Sequence, residues 1–81
     1  MKVSLRFFAS LRECFGASEA EWTLAESATV RDLWMALCAE HPDLEPFTSS
    51  VSFAVNREYV ERDRCLSNGD EVALIPPVSG G

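Results

Sequence analysis

The segment TVRDLWMALC, residues 29–38, decides the fold of this chain. Thr29 is followed three residues later by Asp32, an acidic variant of the capping box that marks a helix start. Apolar residues then recur at helical spacing and form one face: Val30, Leu33, Trp34, Leu37 and Cys38. Pro42 marks the end, because the residue before a proline disfavours helical angles. The segment therefore predicts one long amphipathic helix that needs an apolar surface to cover.

Alternating segments on either side of this helix predict β-strands, since apolar residues at every second position line one face of a sheet. The strands are predicted at residues 2–7, 19–24, 51–55, 59–60 and 71–75. Residues 9–15 are predicted to form a short helical connection, which Gly16 ends with a positive φ. The turn signal SNGD at residues 67–70 precedes the last strand.

The order of these elements selects one architecture. A single amphipathic helix needs one sheet face to cover, and a small mixed sheet supplies it. The last strand is expected to lie parallel beside the first, because the helix and the later strands provide a long crossover. We therefore predict an α+β fold, the ubiquitin-like β-grasp, with a mixed sheet of four to five strands packed on one main helix. Residues 1–75 are predicted to form the domain and residues 76–81 a flexible C-terminal tail.

The composition excludes several classes of function. The chain has 81 residues, 47% of them hydrophobic, and a net charge of −6. These values indicate one packed domain without the basic surface that binds nucleic acid. No run reaches the roughly 18 apolar residues of a membrane span. Cys14, Cys38 and Cys65 show no CxxC spacing, so we expect reduced, buried or half-buried thiols in a cytoplasmic protein.

The sequence lacks the spacing of an active site of its own. His41 is the only histidine; it is expected at the end of the long helix, without a nearby nucleophile to activate. No phosphate loop, GxSxG motif or metal-ligand spacing occurs. We therefore expect no bound cofactor, no metal and no catalysis by this chain alone.

We expect the reactive group in the C-terminal tail instead, PPVSGG at residues 76–81. Its prolines favour an extended conformation, and Gly80 and Gly81 carry no Cβ that would obstruct a narrow channel. Fully extended, the tail reaches about 20 Å. ATP can convert the terminal carboxylate of Gly81 into an acyl-adenylate. A sulfur nucleophile that displaces AMP then leaves a terminal thiocarboxylate.

An apolar patch is expected beside this tail. By strand parity Ile75 faces away from the helix, and Phe8 lies near it if the first and last strands are neighbours. Pro76 and Val78 extend the patch. Contiguous exposed apolar surface usually marks an interaction site. Arg12 either pairs with acidic residues of a partner or only closes the short helix.

The chain resembles a known family over its whole length. Residues 3–9, VSLRFFA, followed by LRE at 11–13, look like the family's first strand and its exit. The segment TVRDL at residues 29–33 looks like its helix start, and Val55-Asn56 like the end of its third strand. Most specific is NGDEVALIPPVSGG at residues 68–81. These features resemble the MoaD-type sulfur carriers, the small subunits of molybdopterin synthase.

The resemblance implies a mechanism and a set of partners. An adenylyltransferase related to ubiquitin activators would use ATP to activate Gly81, and a sulfurtransferase would supply sulfur, held covalently as a thiocarboxylate. The tail would enter the large, catalytic subunit of a heterotetramer. There the sulfur would pass to cyclic pyranopterin monophosphate and build the molybdopterin dithiolene. The partner-binding residues would be Phe8, Arg12, Ile75, Pro76, Pro77, Val78, Ser79 and Gly80.

Two kinds of alternative stay open. Sulfur carriers for thiamin or cysteine biosynthesis, and ubiquitin-like protein modifiers, share the fold and the Gly-Gly ending. A β-grasp binding module with an inert C-terminus belongs to another class of function. Removal of Gly81 separates the two kinds, because a carrier loses its activity whereas a module keeps its binding.

Overall fold

The protein consists of a mixed five-stranded sheet with one long helix packed across one face. The computed structural model describes residues 1–77. In chain order the elements are β1 (Lys2–Phe7), α1 (Ala9–Phe15), β2 (Glu19–Thr23), α2 (Val30–Glu40), a 3₁₀-helix (Pro42–Phe47), β3 (Ser52–Val55), β4 (Glu58–Val60) and β5 (Glu71–Ile75). The strands lie in the order β2-β1-β5-β3-β4; β1 and β5 are parallel, and the other neighbours are antiparallel. The predicted α+β β-grasp fold is therefore confirmed, with five strands.

Helix α2 begins at the capping residues that the sequence indicates. The backbone N–H of Asp32 donates to Thr29 Oγ1 over 3.2 Å, and the backbone N–H of Thr29 donates to Asp32 Oδ2 over 2.9 Å. The hydrogen bond from the Thr29 backbone is the main reason why the pKa of Asp32 lies below its ordinary value of 3.8. At the other end, the backbone N–H of His41 donates to the carbonyl of Leu37. The helix therefore starts and ends as predicted.

The core lies between α2 and the inner face of the sheet. The residues that α2 buries are Val30, Leu33, Trp34, Leu37 and Cys38. Along β1, buried and exposed residues alternate strictly. The indole N–H of Trp34 donates to Thr48 Oγ1 over 3.0 Å, which ties α2 to the end of the 3₁₀-helix. The face predicted from helical spacing is thus the face that packs.

The connection between β1 and β2 is a complete short helix. Helix α1 buries Leu11, and the ring of Phe15 stacks on Phe7 with 4.0 Å between the ring centroids. Gly16 ends the helix at φ 94°, and its backbone N–H donates to the carbonyl of Arg12. The predicted glycine cap is confirmed. None of the helices within residues 1–77 has both the length and the apolar composition of a membrane span.

One expectation about the cysteines is wrong. Cys38 is buried and Cys14 is half-buried, as expected, but Cys65 is exposed. Cys65 lies in the segment between β4 and β5 and pairs with Thr29 in an isolated antiparallel bridge. This bridge joins two backbone segments at the edge of the fold, and it leaves the Cys65 side chain in contact with solvent.

Candidate functional site

The outer face of the sheet, opposite α2, carries the surface predicted beside the tail. In β5, Val72 and Leu74 are fully buried against the core. Ala73 and Ile75 alternate with them and are partly exposed. Successive side chains of a strand point to opposite faces, so Ile75 points away from α2. The orientation predicted for Ile75 is confirmed.

Phe8 lies beside Ile75 on this face. The parallel register of β1 and β5 ends with Phe7 paired to Leu74. Phe8 follows β1 with an extended backbone, so it and Ile75 each come one residue after this last pair. The Phe8 side chain is 43% exposed. The guanidinium carbon of Arg6 lies 6.0 Å from the centroid of its ring. We call Phe8, Ile75 and Pro76 the outer patch; its contact with a partner stays a prediction.

A tyrosine on the same face extends the apolar surface toward β4. The antiparallel registers place Ala54 of β3 between Ala73 of β5 and Tyr59 of β4. Tyr59 therefore points to the same side as Ala73, and its side chain is 73% exposed. Tyr59 is not among the site residues predicted from the sequence. The two-residue turn at Asn56 and Arg57 fixes the hairpin register and could have revealed it.

The described part of the tail continues directly from β5. Pro76 is half-buried, and Pro77 is exposed. The other predicted tail residues, Val78, Ser79, Gly80 and Gly81, lie outside the described residues. The domain boundary at residue 75 and the tail's contacts with a partner therefore stay predictions.

The backbone of Arg12 makes hydrogen bonds at both ends of α1. Its carbonyl accepts the hydrogen bond that closes the helix at Gly16, and its own backbone N–H donates to the carbonyl of Phe8 over 3.3 Å. The side chain is exposed, and neither ion pair found within residues 1–77 includes it. Pairing of Arg12 with a partner's acidic residues stays a prediction.

Charges flank the outer patch. Arg6 Nη1 lies 3.9 Å from Glu71 Oε2, and both side chains are more than one-third exposed. An exposed pair of this kind contributes little to folding, typically about 0–1 kcal/mol. Because exposed charges remain available to a second surface, they affect the rate and specificity of docking more than the stability of the chain.

Two side chains that could act as nucleophile or base, Cys38 and His41, have structural roles in this fold. Burial, together with the neighbouring Glu45 carboxylate, raises the pKa of Cys38 to about 11, so its thiol stays protonated near neutral pH. The His41 ring packs on Phe15, with 4.5 Å between the ring centroids. Within residues 1–77, no three His, Cys, Asp or Glu side chains lie close enough together to hold a metal ion.

Fold and surface together define a class. A five-stranded β-grasp sheet, one covering helix and an outer apolar patch at the strand that leads into a Gly-Gly ending are typical of ubiquitin-like carrier proteins. A family model described as the ThiS family matches residues 5–81. The chain belongs to this family.

Curated and solved relatives agree over the full length. The molybdopterin synthase sulfur carrier subunit of Chlamydomonas reinhardtii is 40% identical over 83 residues, and the alignment covers 100% of both chains. That of Homo sapiens is 34% identical, with 99% of this chain and 94% of the relative covered. The crystal structure of SAMP1 from Haloferax volcanii superposes with a TM-score of 0.89 at 31% identity, covering 100% of both chains. The family resemblance seen in the sequence is therefore confirmed.

Proposed function

We propose that this chain is the sulfur-carrier subunit of a molybdopterin synthase. The observation that carries the proposal is the full-length identity of 40% and 34% to two proteins of that name from distant organisms. Both relatives are named as subunits, which supports a heteromeric assembly with a large subunit as the principal partner. In this assembly the carrier is not catalytic by itself, and it works in the cytoplasm.

The chemistry is assigned to the C-terminal carboxylate of Gly81. The carboxylate oxygen attacks the α-phosphate of ATP on a separate adenylyltransferase, pyrophosphate leaves, and a glycyl-adenylate forms. The terminal sulfur of a sulfurtransferase persulfide attacks the carbonyl carbon and expels AMP, and a second thiol then cleaves the acyl disulfide, so a thiocarboxylate remains and the two thiols leave as a disulfide. This group donates its sulfur to cyclic pyranopterin monophosphate in the large subunit, and two transfers complete the dithiolene of molybdopterin.

The described domain supports this division of labour. Its most buried thiol, Cys38, is held protonated, and its only histidine packs on an aromatic ring. Cys38 and His41 are thus poorly placed to attack an activated acyl or sulfur centre, whereas Cys65 is exposed. Structural roles for these two side chains suit a carrier whose reactive group is the C-terminal carboxylate.

The outer patch is the proposed docking surface for the large subunit. Phe8, Ile75 and Pro76 lie where β5 ends, so a partner that covers them also receives the residues that follow. The carrier's net charge of −6 favours a partner whose docking surface is basic. Such a charge difference speeds encounter and makes the association rate fall with added salt.

Deletion of Gly81 tests the proposal. The carrier, the adenylyltransferase, the sulfurtransferase, the large subunit and the pyranopterin precursor are combined with ATP, and molybdopterin is measured. We expect the deletion variant to form none while it keeps its far-ultraviolet circular dichroism. The same reaction with the full chain but without ATP serves as the control for activation. Molybdopterin formation by the deletion variant would contradict the proposal.

Protein modification is a second candidate function, because Haloferax volcanii proteins that this chain matches are named small archaeal modifier proteins. A modifier would use the same adenylate but transfer Gly81 to a lysine amine, with an amide bond formed and AMP released. The reconstitution distinguishes the two. Conjugates of higher mass without molybdopterin would favour the modifier, whereas molybdopterin without conjugates favours the sulfur carrier.

A further inference from the structure

The backbone at the end of β1 is strained at one residue. Ala9 has φ 47°, in the left-handed region that disfavours residues with a Cβ. Within residues 1–77, the other non-glycine residues with positive φ are Ser27, Asn56 and Arg57, all in turns. Ala9 differs from them because it is the first residue of a helix and lies only two residues after the last residue of β1.

The neighbouring residue breaks a second local rule. Phe8 occupies the N-cap position of α1, where a side-chain oxygen normally accepts a backbone N–H, and it makes no such hydrogen bond. The turn is closed through the Phe8 carbonyl instead, which accepts from the backbone N–H of Leu11 at 3.0 Å and of Arg12 at 3.3 Å. Adjacent departures from local preference are most often found at functional sites.

Core contacts on both sides of Ala9 hold this conformation. On one side Phe7 is 2% exposed and stacks on Phe15; on the other side Leu11 is fully buried. Strain of this kind persists only where the surrounding structure fixes the backbone. The result is a reversal between Phe7 and Leu11 that leaves the Phe8 ring on the outer face.

We propose that Ala9 is a positioning residue for docking: its left-handed, conformationally restricted backbone fixes the Phe8 ring beside Ile75 at the start of the tail. A glycine would reach the same angles without strain, but it would also let the turn move. The alanine thus holds the ring in its docking orientation before the partner arrives, which lowers the ordering cost of binding. The inference rests on the proposed function, since the partner is taken to be the large subunit.

The test is Ala9→Gly, with Ser27→Gly as the matched control at a second positive-φ residue outside the outer patch. We expect Ala9→Gly to leave the melting temperature unchanged or higher, yet to weaken binding of the large subunit about two- to fivefold by calorimetry. Ala9→Asn should keep wild-type affinity, because asparagine tolerates the left-handed region while retaining a restricted backbone. Ser27→Gly should not change affinity.

Two further measurements separate positioning from a general structural role. Backbone ¹⁵N relaxation of the free chain should show a lower order parameter at Phe8 in Ala9→Gly and no change there in Ser27→Gly. In a Phe8→Ala background, Ala9→Gly should no longer affect affinity, because the ring that it positions is gone.

An unchanged order parameter at Phe8, or equal affinity of Ala9→Gly and the wild type, would overturn the positioning role and leave the proposed function intact. Absence of any binding by the wild-type chain would overturn the positioning role and the proposed function together. An equal loss of affinity on the wild-type and Phe8→Ala backgrounds would also overturn the positioning role.

Discussion

Replacing Ile75 with aspartate tests the outer patch directly. Ile75 ends β5 and points away from α2, so the new carboxylate would lie in solvent in the free chain. The cost to folding comes mainly from the lower strand preference of aspartate, at most about 1 kcal/mol. Since the free energy of unfolding of a stable domain is about 5–15 kcal/mol, the variant should remain folded.

The cost to docking is larger than the cost to folding. Ile75 is only partly exposed, so the apolar area that it loses on docking contributes about 1 kcal/mol or less. A carboxylate covered by the partner without a hydrogen-bond donor adds a penalty of about 1–3 kcal/mol. The sum of about 1–4 kcal/mol corresponds to a Kd for the large subunit that rises about 5-fold at the lower end and several hundredfold at the upper end.

Isothermal titration calorimetry with purified large subunit gives this Kd, and circular dichroism checks the fold. Met35→Asp is the matched control, because Met35 is also an exposed apolar residue, 62% exposed, but lies on α2, on the opposite side of the sheet. Its Kd should stay within about twofold of the wild type. The assignment of the outer patch is refuted if Ile75→Asp binds as tightly as wild type, or if Met35→Asp weakens binding equally.

Three further predictions concern the stability of the fold. Leu74→Ala removes a fully buried side chain of the central strand and should lower the free energy of unfolding by about 2–5 kcal/mol in urea titration; a loss under 1 kcal/mol would contradict the packing described. Arg57→Gly, at φ 73°, should raise that free energy by about 0.5–1 kcal/mol, and a decrease would show that the turn is not strained. The pKa of Asp32 is lowered in the folded chain, so its contribution is present above its unfolded pKa of about 3.8 and is lost as pH falls through the folded value. Asp32→Asn should therefore be less stable than wild type at pH 6, with a difference that shrinks on acidification below pH 3.8, and a constant difference would contradict the capping role.

The parts of the fold that follow local rules were predictable from the sequence. Thr29 and Asp32 mark the start of α2 because capping is a local hydrogen-bond pattern. Gly16 ends α1 because only glycine adopts its angles without strain. The orientation of Ile75 followed from strand parity alone. In each case a few neighbouring residues determine the structure.

Features that depend on contacts distant in sequence were not predictable in the same way. Ala9 carries no sign of its left-handed backbone, because the burial of Phe7 and Leu11 imposes it. Cys65 is exposed and lies opposite Thr29 in an isolated bridge, in a segment whose hydropathic pattern does not indicate which side chains are buried. The alternation within the three-residue strand β4 is too short to indicate the face of Tyr59, and only the pairing across the Asn56–Arg57 turn assigns it.

The central claim is that the C-terminal carboxylate of Gly81 carries sulfur. Intact-mass spectrometry after incubation with ATP, the adenylyltransferase and a sulfur source tests it most directly. The account predicts a gain of about 16 Da, one oxygen exchanged for sulfur, in the full chain and no gain in the chain lacking Gly81. An unchanged mass of the full chain, with an adenylyltransferase that modifies a known carrier in the same assay, would contradict it.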